Sequence, residues 1–169
     1  MDEKALYKLT YGLYVVSAAA GETRGGCIVN TLLQVTAEPP RLCVTVNEEN
    51  YTAQLIREKG SFAAVALDQR ADLMTMGRFG FRCGRDFDKF DSIAFAEDEN
   101  GNPYPLDAVC ARFSCQVEHT MDFGTHLMFI GTVEEAEILG EHLPLTYTYY
   151  REVIKGKTPK NAPSFQRKG

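Results

Sequence analysis

A long antiparallel hairpin, predicted over residues 111–139, constrains the fold more than any other feature of the sequence. The segment "ARFSCQVE" alternates apolar residues such as Phe113 with polar residues such as Arg112. This period of two is typical of a strand with one face on a core and the other in water. A turn at "DFGT" and the stretch "HLMFIGTVEEAEIL" supply the second strand. Strands of this length favour a closed or nearly closed antiparallel barrel.

Shorter elements surround the hairpin. Strands are predicted at 13–20, 41–47 and 61–68, and a further strand is predicted within the stretch 25–40. Helices are predicted at 3–12, 50–60, 71–80 and 146–157. "NGNPYP" at 101–106 is a strong turn signal. Strands and helices do not alternate as in a doubly wound fold. The sequence therefore predicts a mainly β, antiparallel, Greek-key type barrel with peripheral helices, in one domain over 1–156, followed by a loose tail over 157–169.

Composition and charge exclude several classes of protein. The formal net charge of −5 argues against nucleic-acid binding, which usually requires a basic surface. The N-terminus "MDEKALYKLTYG" lacks the features of a signal peptide, and no apolar run is long enough to span a membrane. We therefore expect a cytoplasmic protein. Its five cysteines include no CxxC pair, so reduced thiols are expected rather than a zinc or rubredoxin-type iron site.

Common catalytic motifs do not occur. "GRFGFRCG" lacks the GxGxxG spacing, and the chain contains neither GxxxxGK[ST] nor GxSxG. Of the three histidines, His119 and His126 fall on either side of the predicted hairpin turn and could approach each other. They could begin a metal site with Glu118 or Asp122, or they could simply be partly exposed hairpin residues. The residues alone leave both interpretations open.

Polar residues interrupt the apolar stretch "GGCIVNTLLQVTAEPP", which spans Gly25 to Pro40. A strand ending at Asn47 and a helix capped by Asn50 follow it, and helix N-termini favour phosphate groups. A planar heterocycle with polar edges, a polyol and a terminal phosphate would fit this order, and flavin mononucleotide (FMN) has those three parts. The alternative is an ordinary strand with hydroxyls in its pleat, followed by a routinely capped helix.

Several short motifs then indicate a family. Asn30-Thr31, Val35-Thr36, Pro39-Pro40, the turn from Asn47 to Thr52, and Lys89-Phe90 occur in order before the hairpin "FGTHLMFIGTVEEAE". Over nearly the whole chain, this pattern resembles the flavin reductase-like family, whose fold is the FMN-binding split β-barrel. It resembles in particular the flavin reductase module that opens the high-molecular-weight rubredoxins, including the ending "YYREVIKGKTPKNAP". Without CxxC pairs, this chain is not expected to carry their iron centre.

The resemblance implies roles for individual residues. His126 would lie near the flavin or the nicotinamide as the catalytic residue, which displaces the metal interpretation. Arg82, Arg85 and Lys89 would contact the phosphate or a nicotinamide cofactor. The ring edge and the ribityl and phosphate groups would be held by the remaining predicted ligands, which are Asn30, Thr31, Leu32, Gln34, Val35, Thr36, Asn47, Asn50, Tyr51 and Thr52.

The same resemblance implies a function. We expect an oxidoreductase that transfers hydride from NADH or NADPH to FMN, because the protein would need only to orient the two cofactors and tune their electrostatics. A homodimer with FMN near its interface and an electron-acceptor protein as a partner are also implied. Two alternatives are an FMN-containing electron carrier without NAD(P)H activity and a non-redox module that holds haem through His126.

Overall fold

The computed structural model describes residues 1–157 and contains nine strands and four helices in that range. A short 3-10 helix spans Glu3–Lys8, and the α-helices are α1 (Tyr51–Lys59), α2 (Leu73–Gly80) and α3 (Tyr147–Glu152). The strands are β1 (Tyr14–Ala20), β2 (Thr23–Val29), β3 (Leu33–Ala37), β4 (Pro40–Asn47), β5 (Ser61–Leu67), β6 (Phe95–Glu97), β7 (Pro103–Pro105), β8 (Val109–Asp122) and β9 (His126–Ile138). No helix in the described range is long and apolar enough to cross a membrane.

Seven of the strands form one antiparallel sheet, in the order β2-β1-β5-β8-β9-β4-β3, and β6 and β7 form a separate small hairpin. The two edge strands, β2 and β3, follow each other directly in the chain, so the sheet curves until its edges are joined by residues 30–32. This mainly antiparallel arrangement with helices around it confirms the predicted fold class. It also confirms that the chain is not doubly wound.

The two faces of the sheet are covered unequally. On the inner face, α1 packs against apolar residues of β1, β4, β5 and β9, with Ile56, Phe62 and Phe129 at the centre of that core. On the outer face, α2, α3 and the β6–β7 hairpin cover β1, β2, β5 and the start of β8, where Val65 and Phe79 are buried. Every residue of β5 is consequently buried, which explains its continuous apolar sequence.

The β8–β9 hairpin confirms the prediction made for residues 111–139. Its strands pair from Ala111 with Ile138 to Asp122 with Leu127, and Gly124 turns the chain with a φ of 81°. Two register shifts bend the pair, near Ser114 and Val117. At one bend, a Cβ atom on Gly131 would lie 2.8 Å from the carbonyl oxygen of Gln116, so a glycine is required there.

Other predicted elements are confirmed with some changes of boundary. Asn50 caps α1 by accepting a hydrogen bond from the Thr52 amide, and Gly60 ends the helix in the left-handed region, with a φ of 77°. The N-terminal helix is a 3-10 helix that ends at Lys8, and both Leu6 within it and Leu9 after it are exposed. The signal at 101–106 was only partly correct, because the turn lies before Pro103 and residues 103–105 form β7. The predicted tail 157–169 lies outside the described residues apart from Lys157.

A buried carboxylate fastens the β6–β7 hairpin to the sheet. Asp98 Oδ1 accepts hydrogen bonds from the backbone amides of Asn100 and Asn102, at 3.0 and 2.7 Å. Its Oδ2 accepts from Ser114 Oγ at 2.7 Å, and Asn102 Nδ2 donates to Ser61 Oγ at 3.0 Å. Because the residue is only 7% exposed, these donors have no water to replace a missing acceptor.

We therefore expect Asp98→Ala to destabilise the protein by about 3 kcal/mol, since several buried donors would lose their acceptor. Urea unfolding monitored by circular dichroism measures the change in the free energy of unfolding. Glu141→Ala is the matched control, because Glu141 is exposed and should change stability by less than about 0.5 kcal/mol. Equal stability of the two variants would contradict this role for Asp98.

Candidate functional site

The predicted polar strand over residues 25–40 is two strands separated by a break at 30–32. Thr31 lies in this break, and its Oγ1 donates a hydrogen bond to the carbonyl oxygen of Thr45 at 2.6 Å. Asn30 is 7% exposed, and Leu32 is buried in the inner core. The break is therefore attached to β4, and Leu32 faces the core rather than an open site.

After the break, β3 forms the edge of the sheet. Gln34 Nε2 donates to the carbonyl oxygen of Thr36 at 3.2 Å, and Thr36 Oγ1 donates to that of Pro39 at 2.6 Å. Val35 is 46% exposed, and the register with β4 shifts between Gln34 and Thr36. An edge strand leaves backbone amides and carbonyls unpaired on its open side. These groups could bind the polar edge of a planar ring.

The end of β4 brings together residues that are far apart in the sequence. Asn47 is the cross-strand partner of His126, the first residue of β9. Asn47 Oδ1 accepts from the Glu49 amide at 3.0 Å, which turns the chain toward α1. Asn50 then caps the helix, whose N-terminus carries the positive end of the helix dipole. The rung formed by Asn47 and His126 therefore lies beside a helix end suited to a phosphate.

His126 carries the clearest sign of a binding site. Its Nδ1 lies 2.9 Å from Thr125 Oγ1, with which it shares a hydrogen bond. Its Nε2 is buried and has no hydrogen-bond partner among residues 1–157. Leaving a buried polar group unpaired costs about 1–3 kcal/mol, so such an atom is usually satisfied by something that binds there.

The register of the hairpin separates the two histidines that were considered as metal ligands. His119 pairs with Ile130, whereas His126 lies four residues earlier in β9. No group of three or more potential metal ligands occurs in the described part of the chain. The hypothesis that His119 and His126 begin one metal site is therefore wrong, because the two side chains are not brought together.

Thr52 and Lys89, two of the predicted ligands, face inward. Thr52 is 1% exposed, and its hydroxyl hydrogen-bonds the buried thiol of Cys27. Lys89 is 3% exposed, and its Nζ donates to the carbonyl oxygens of Gly26 and Phe79, at 2.7 and 3.1 Å. This burial lowers the pKa of Lys89. Lys89 thus ties the loop over 81–92 to β2 and α2, and neither side chain is placed to bind a phosphate at the surface.

The loop over 81–92 lies against the first turn of α1. Arg85 donates to Gln54 Oε1 at 2.9 Å, and its guanidinium lies 5.2 Å from the centre of the Tyr51 ring. A Cβ atom on Gly84 would lie 3.0 Å from the Tyr51 ring, so the loop approaches the helix closely. Arg82 instead stacks on Phe87, at 4.4 Å. Arg85 and Tyr51 are thus together, whereas Arg82, which precedes Arg85 in the loop, lies against Phe87 instead.

A surface groove of about 730 Å³ runs from Tyr51 and Arg85 to the turn between β1 and β2. It also borders on Arg24, which forms an ion pair with Asp88 at 2.7 Å. Sequence reasoning missed this groove because its lining comes from separate segments that only the fold brings together. The turn at Gly21, with the charged residues Glu22 and Arg24 beside it, was a weak local signal.

Comparisons with known proteins agree with this fold. The model of the family "Flavin reductase like domain" matches residues 6–157. The chain is 42% identical to a high molecular weight rubredoxin from Moorella thermoacetica, over 98% of this chain and 72% of that protein. It is 36% identical to a ferric-chelate reductase (NAD(P)H) from Archaeoglobus fulgidus, over 96% of both chains.

Solved structures show the same fold at lower identity. An NADH:FAD oxidoreductase from Streptomyces globisporus superimposes with a TM-score of 0.76, at 20% identity and over 84% of each chain. A flavin reductase solved with NADP+ superimposes with a TM-score of 0.73, at 19% identity, over 86% of this chain and 90% of the other. Because the family match and both sequence relatives cover nearly the whole chain, this protein belongs to the flavin reductase-like family of oxidoreductases.

Proposed function

We propose that the protein is an NAD(P)H:FMN oxidoreductase whose flavin lies between the edge of β3, the rung of Asn47 and His126, and the N-terminus of α1. The observation that carries this proposal is the buried, unpartnered Nε2 of His126. It lies beside the segments that the family resemblance assigns to FMN. A bound flavin or nicotinamide would give this atom a hydrogen-bond partner.

The residues present suit the three parts of FMN. Open backbone groups of β3 match the polar edge of the ring, and the exposed amide of Gln34 lies on the same strand. The side-chain nitrogen of Asn47 remains for a hydroxyl of the ribityl chain, because its oxygen is used by Glu49. The phosphate would meet the α1 N-terminus, with Tyr51 beside it.

When bound, FMN accepts a hydride from the nicotinamide and passes electrons to an acceptor. The protein's task is to hold the reactants in position. Because Thr125 engages Nδ1, His126 presents Nε2 to a ligand in a fixed orientation. Asn50 stabilises the helix end that faces the phosphate, and Gly84 lets the loop over 81–92 close on Tyr51.

Relatives support the choice of donor and acceptor. The ferric-chelate reductase carries NAD(P)H in its name, and one structural neighbour was solved with NADP+. The Moorella relative is a rubredoxin of high molecular weight, which supports a small electron-transfer protein as a partner. We extend these properties to this chain as part of the proposal.

A homodimer would complete the site. The outer face of β3, β4, β9 and β8 continues from the pair of Asn47 and His126. On this face Met128 pairs with Met121, and Cys43 lies between Leu33 and Ile130. Leu33 and Met121 are 56% and 48% exposed. A second copy seated here would cover these apolar side chains and exclude water from the flavin.

The activity is tested by titrating the purified protein with FMN and then following NADH and NADPH oxidation at saturating FMN. We expect a bound-flavin absorption band and NAD(P)H oxidation that depends on both FMN and the protein. Bound flavin without NAD(P)H oxidation would indicate an electron carrier, and a haem spectrum would indicate the non-redox module. A protein that neither binds nor reduces FMN would overturn the proposal.

His126→Ala separates a role in the reaction from a role in folding. We expect kcat/KM for NAD(P)H to fall about tenfold, which corresponds to the loss of about 1.4 kcal/mol of binding in the transition state. The stability of the flavin-free protein should change by less than about 1 kcal/mol, because Nε2 has no protein partner to lose and the hydrogen bond of Nδ1 with Thr125 is exposed to water. His142→Ala is the control, since His142 is exposed and lies after the end of β9, outside this hairpin. A lower stability with unchanged kcat/KM would contradict this role.

Met121→Asp tests the dimer interface. A charge at this position should convert the dimer to a monomer, since an unpaired carboxylate would be buried between the subunits. Light scattering after size-exclusion chromatography measures the mass, and circular dichroism checks the fold. Met74→Asp is the control, because Met74 is 79% exposed on α2, away from this face. A monomeric wild type, or a dimeric Met121→Asp variant, would refute the interface.

A further inference from the structure

The groove beside the proposed flavin site has the size of a nucleotide pocket. Its volume of about 730 Å³ lies within the range of small-molecule sites, about 300–1,000 Å³. Tyr51 and Arg85 line one part of it and also lie at the α1 N-terminus. A ligand could therefore extend from the proposed flavin site into the groove.

The charges of the groove are mixed, with carboxylates in the majority. Three cations, Arg24, Lys59 and Arg85, border on it together with four carboxylates, which are Glu22, Asp86, Asp88 and Glu97. Asp88 and Arg24 neutralise each other, since the guanidinium forms three hydrogen bonds with that carboxylate. This contact raises the pKa of Arg24 and lowers that of Asp88. Lys59 and Arg85 then remain against Glu22, Asp86 and Glu97, and the charge of Glu97 also contributes to the raised pKa of Arg24.

Arg85 is available to an anion. Its guanidinium contacts the Gln54 amide oxygen, the Cys83 sulfur and the Tyr51 ring, and it forms no ion pair with a carboxylate within residues 1–157. Glu22, Asp86 and Glu97 likewise form no ion pair with any cation in that range. Carboxylates of this kind accept hydrogen bonds from the hydroxyls of a ribose, whereas they repel a phosphate attached to it.

We propose that this groove binds the adenosine diphosphate half of a dinucleotide that lacks a 2′-phosphate. Arg85 pairs with the diphosphate, and the carboxylates of Glu22, Asp86 and Glu97 select an adenosine ribose with free hydroxyls. A 2′-phosphate would add about two negative charges next to these carboxylates. The assignment rests on the proposed function for its link to the flavin site. NADH and FAD both carry this half, and NADPH carries the phosphorylated form.

The probes are ADP-ribose and 2′-phospho-ADP-ribose, titrated into the full chain by calorimetry without added flavin. We expect ADP-ribose to bind at least about tenfold more tightly than its phosphorylated form. The triple variant Glu22→Gln, Asp86→Asn, Glu97→Gln should reduce this preference to less than about threefold, by binding the phosphorylated form more tightly. Arg85→Gln should weaken both probes about tenfold or more, because a charge-assisted hydrogen bond is lost.

Glu58→Gln is the matched control, because Glu58 is exposed on α1 and does not line the groove. It should leave both affinities unchanged. The proposal is overturned if neither probe binds, if both bind equally to the wild-type protein, or if the triple variant keeps the wild-type preference. These measurements need no turnover, so ADP-ribose binding without any NAD(P)H-dependent FMN reduction would refute the proposed function and leave the groove assignment standing.

Two further comparisons identify the natural source of the adenosine diphosphate. If kcat/KM is higher for NADH than for NADPH, and if the triple variant loses this preference, the groove holds the adenosine diphosphate half of the hydride donor. If FAD has a lower Kd than FMN, and if Arg85→Gln raises the Kd of FAD to that of FMN, the groove holds the adenosine diphosphate half of the flavin. Either result supports the groove as the site for this half. The absence of both preferences would contradict it.

Discussion

The pairing of β4 with the β8–β9 hairpin is the interaction on which both the sheet and the candidate site depend. It places Asn47 beside His126, although α1, β5, α2 and the strands β6 to β8 lie between these two residues in the sequence. The same register turns Val46 and Leu127 inward and buries them in the core under α1. A shift of one residue would exchange these faces, so the core and the site are specified together.

Unequal coverage of the sheet divides the molecule into a stable part and a functional part. β1 and β5 are covered on both faces, so their side chains contribute to stability. The outer face of β3, β4 and β9 has no helix over it in the described chain, and the site lies at the margin of that face. Because binding needs accessible surface, the polar residues Gln34 and Thr36 can occupy an edge strand without the cost of burial.

Patterns local in the sequence predicted the fold well. The hairpin turn at Gly124 and the caps at Asn50 and Gly60 each depend on neighbouring residues, and each is confirmed. The wet face expected beside Phe113 was wrong at Ser114, which is 1% exposed because it bonds Asp98 under the β6–β7 hairpin. The break at 30–32 was not foreseen, because it arises where the curved sheet brings its two edges together. Its only trace in the sequence was the loss of period-two alternation after Val29.

The site was less predictable because the direction of a side chain depends on tertiary packing. Thr52 and Lys89 match the family pattern, yet the first faces Cys27 and the second donates to carbonyl oxygens of β2 and α2. Nothing in the sequence distinguished them from Asn50 and Arg85, which remain at the surface. The groove was invisible for a similar reason, since Glu22 and Glu97 meet only through the packing of the β6–β7 hairpin.

Hydrogen–deuterium exchange with and without saturating FMN tests the location of the site most directly. The account predicts that FMN slows exchange in three separate segments, 30–37, 47–53 and 125–128, with little change in α3 and the β6–β7 hairpin. Slower exchange confined to other regions, or no change in these three segments when FMN is bound, would contradict it.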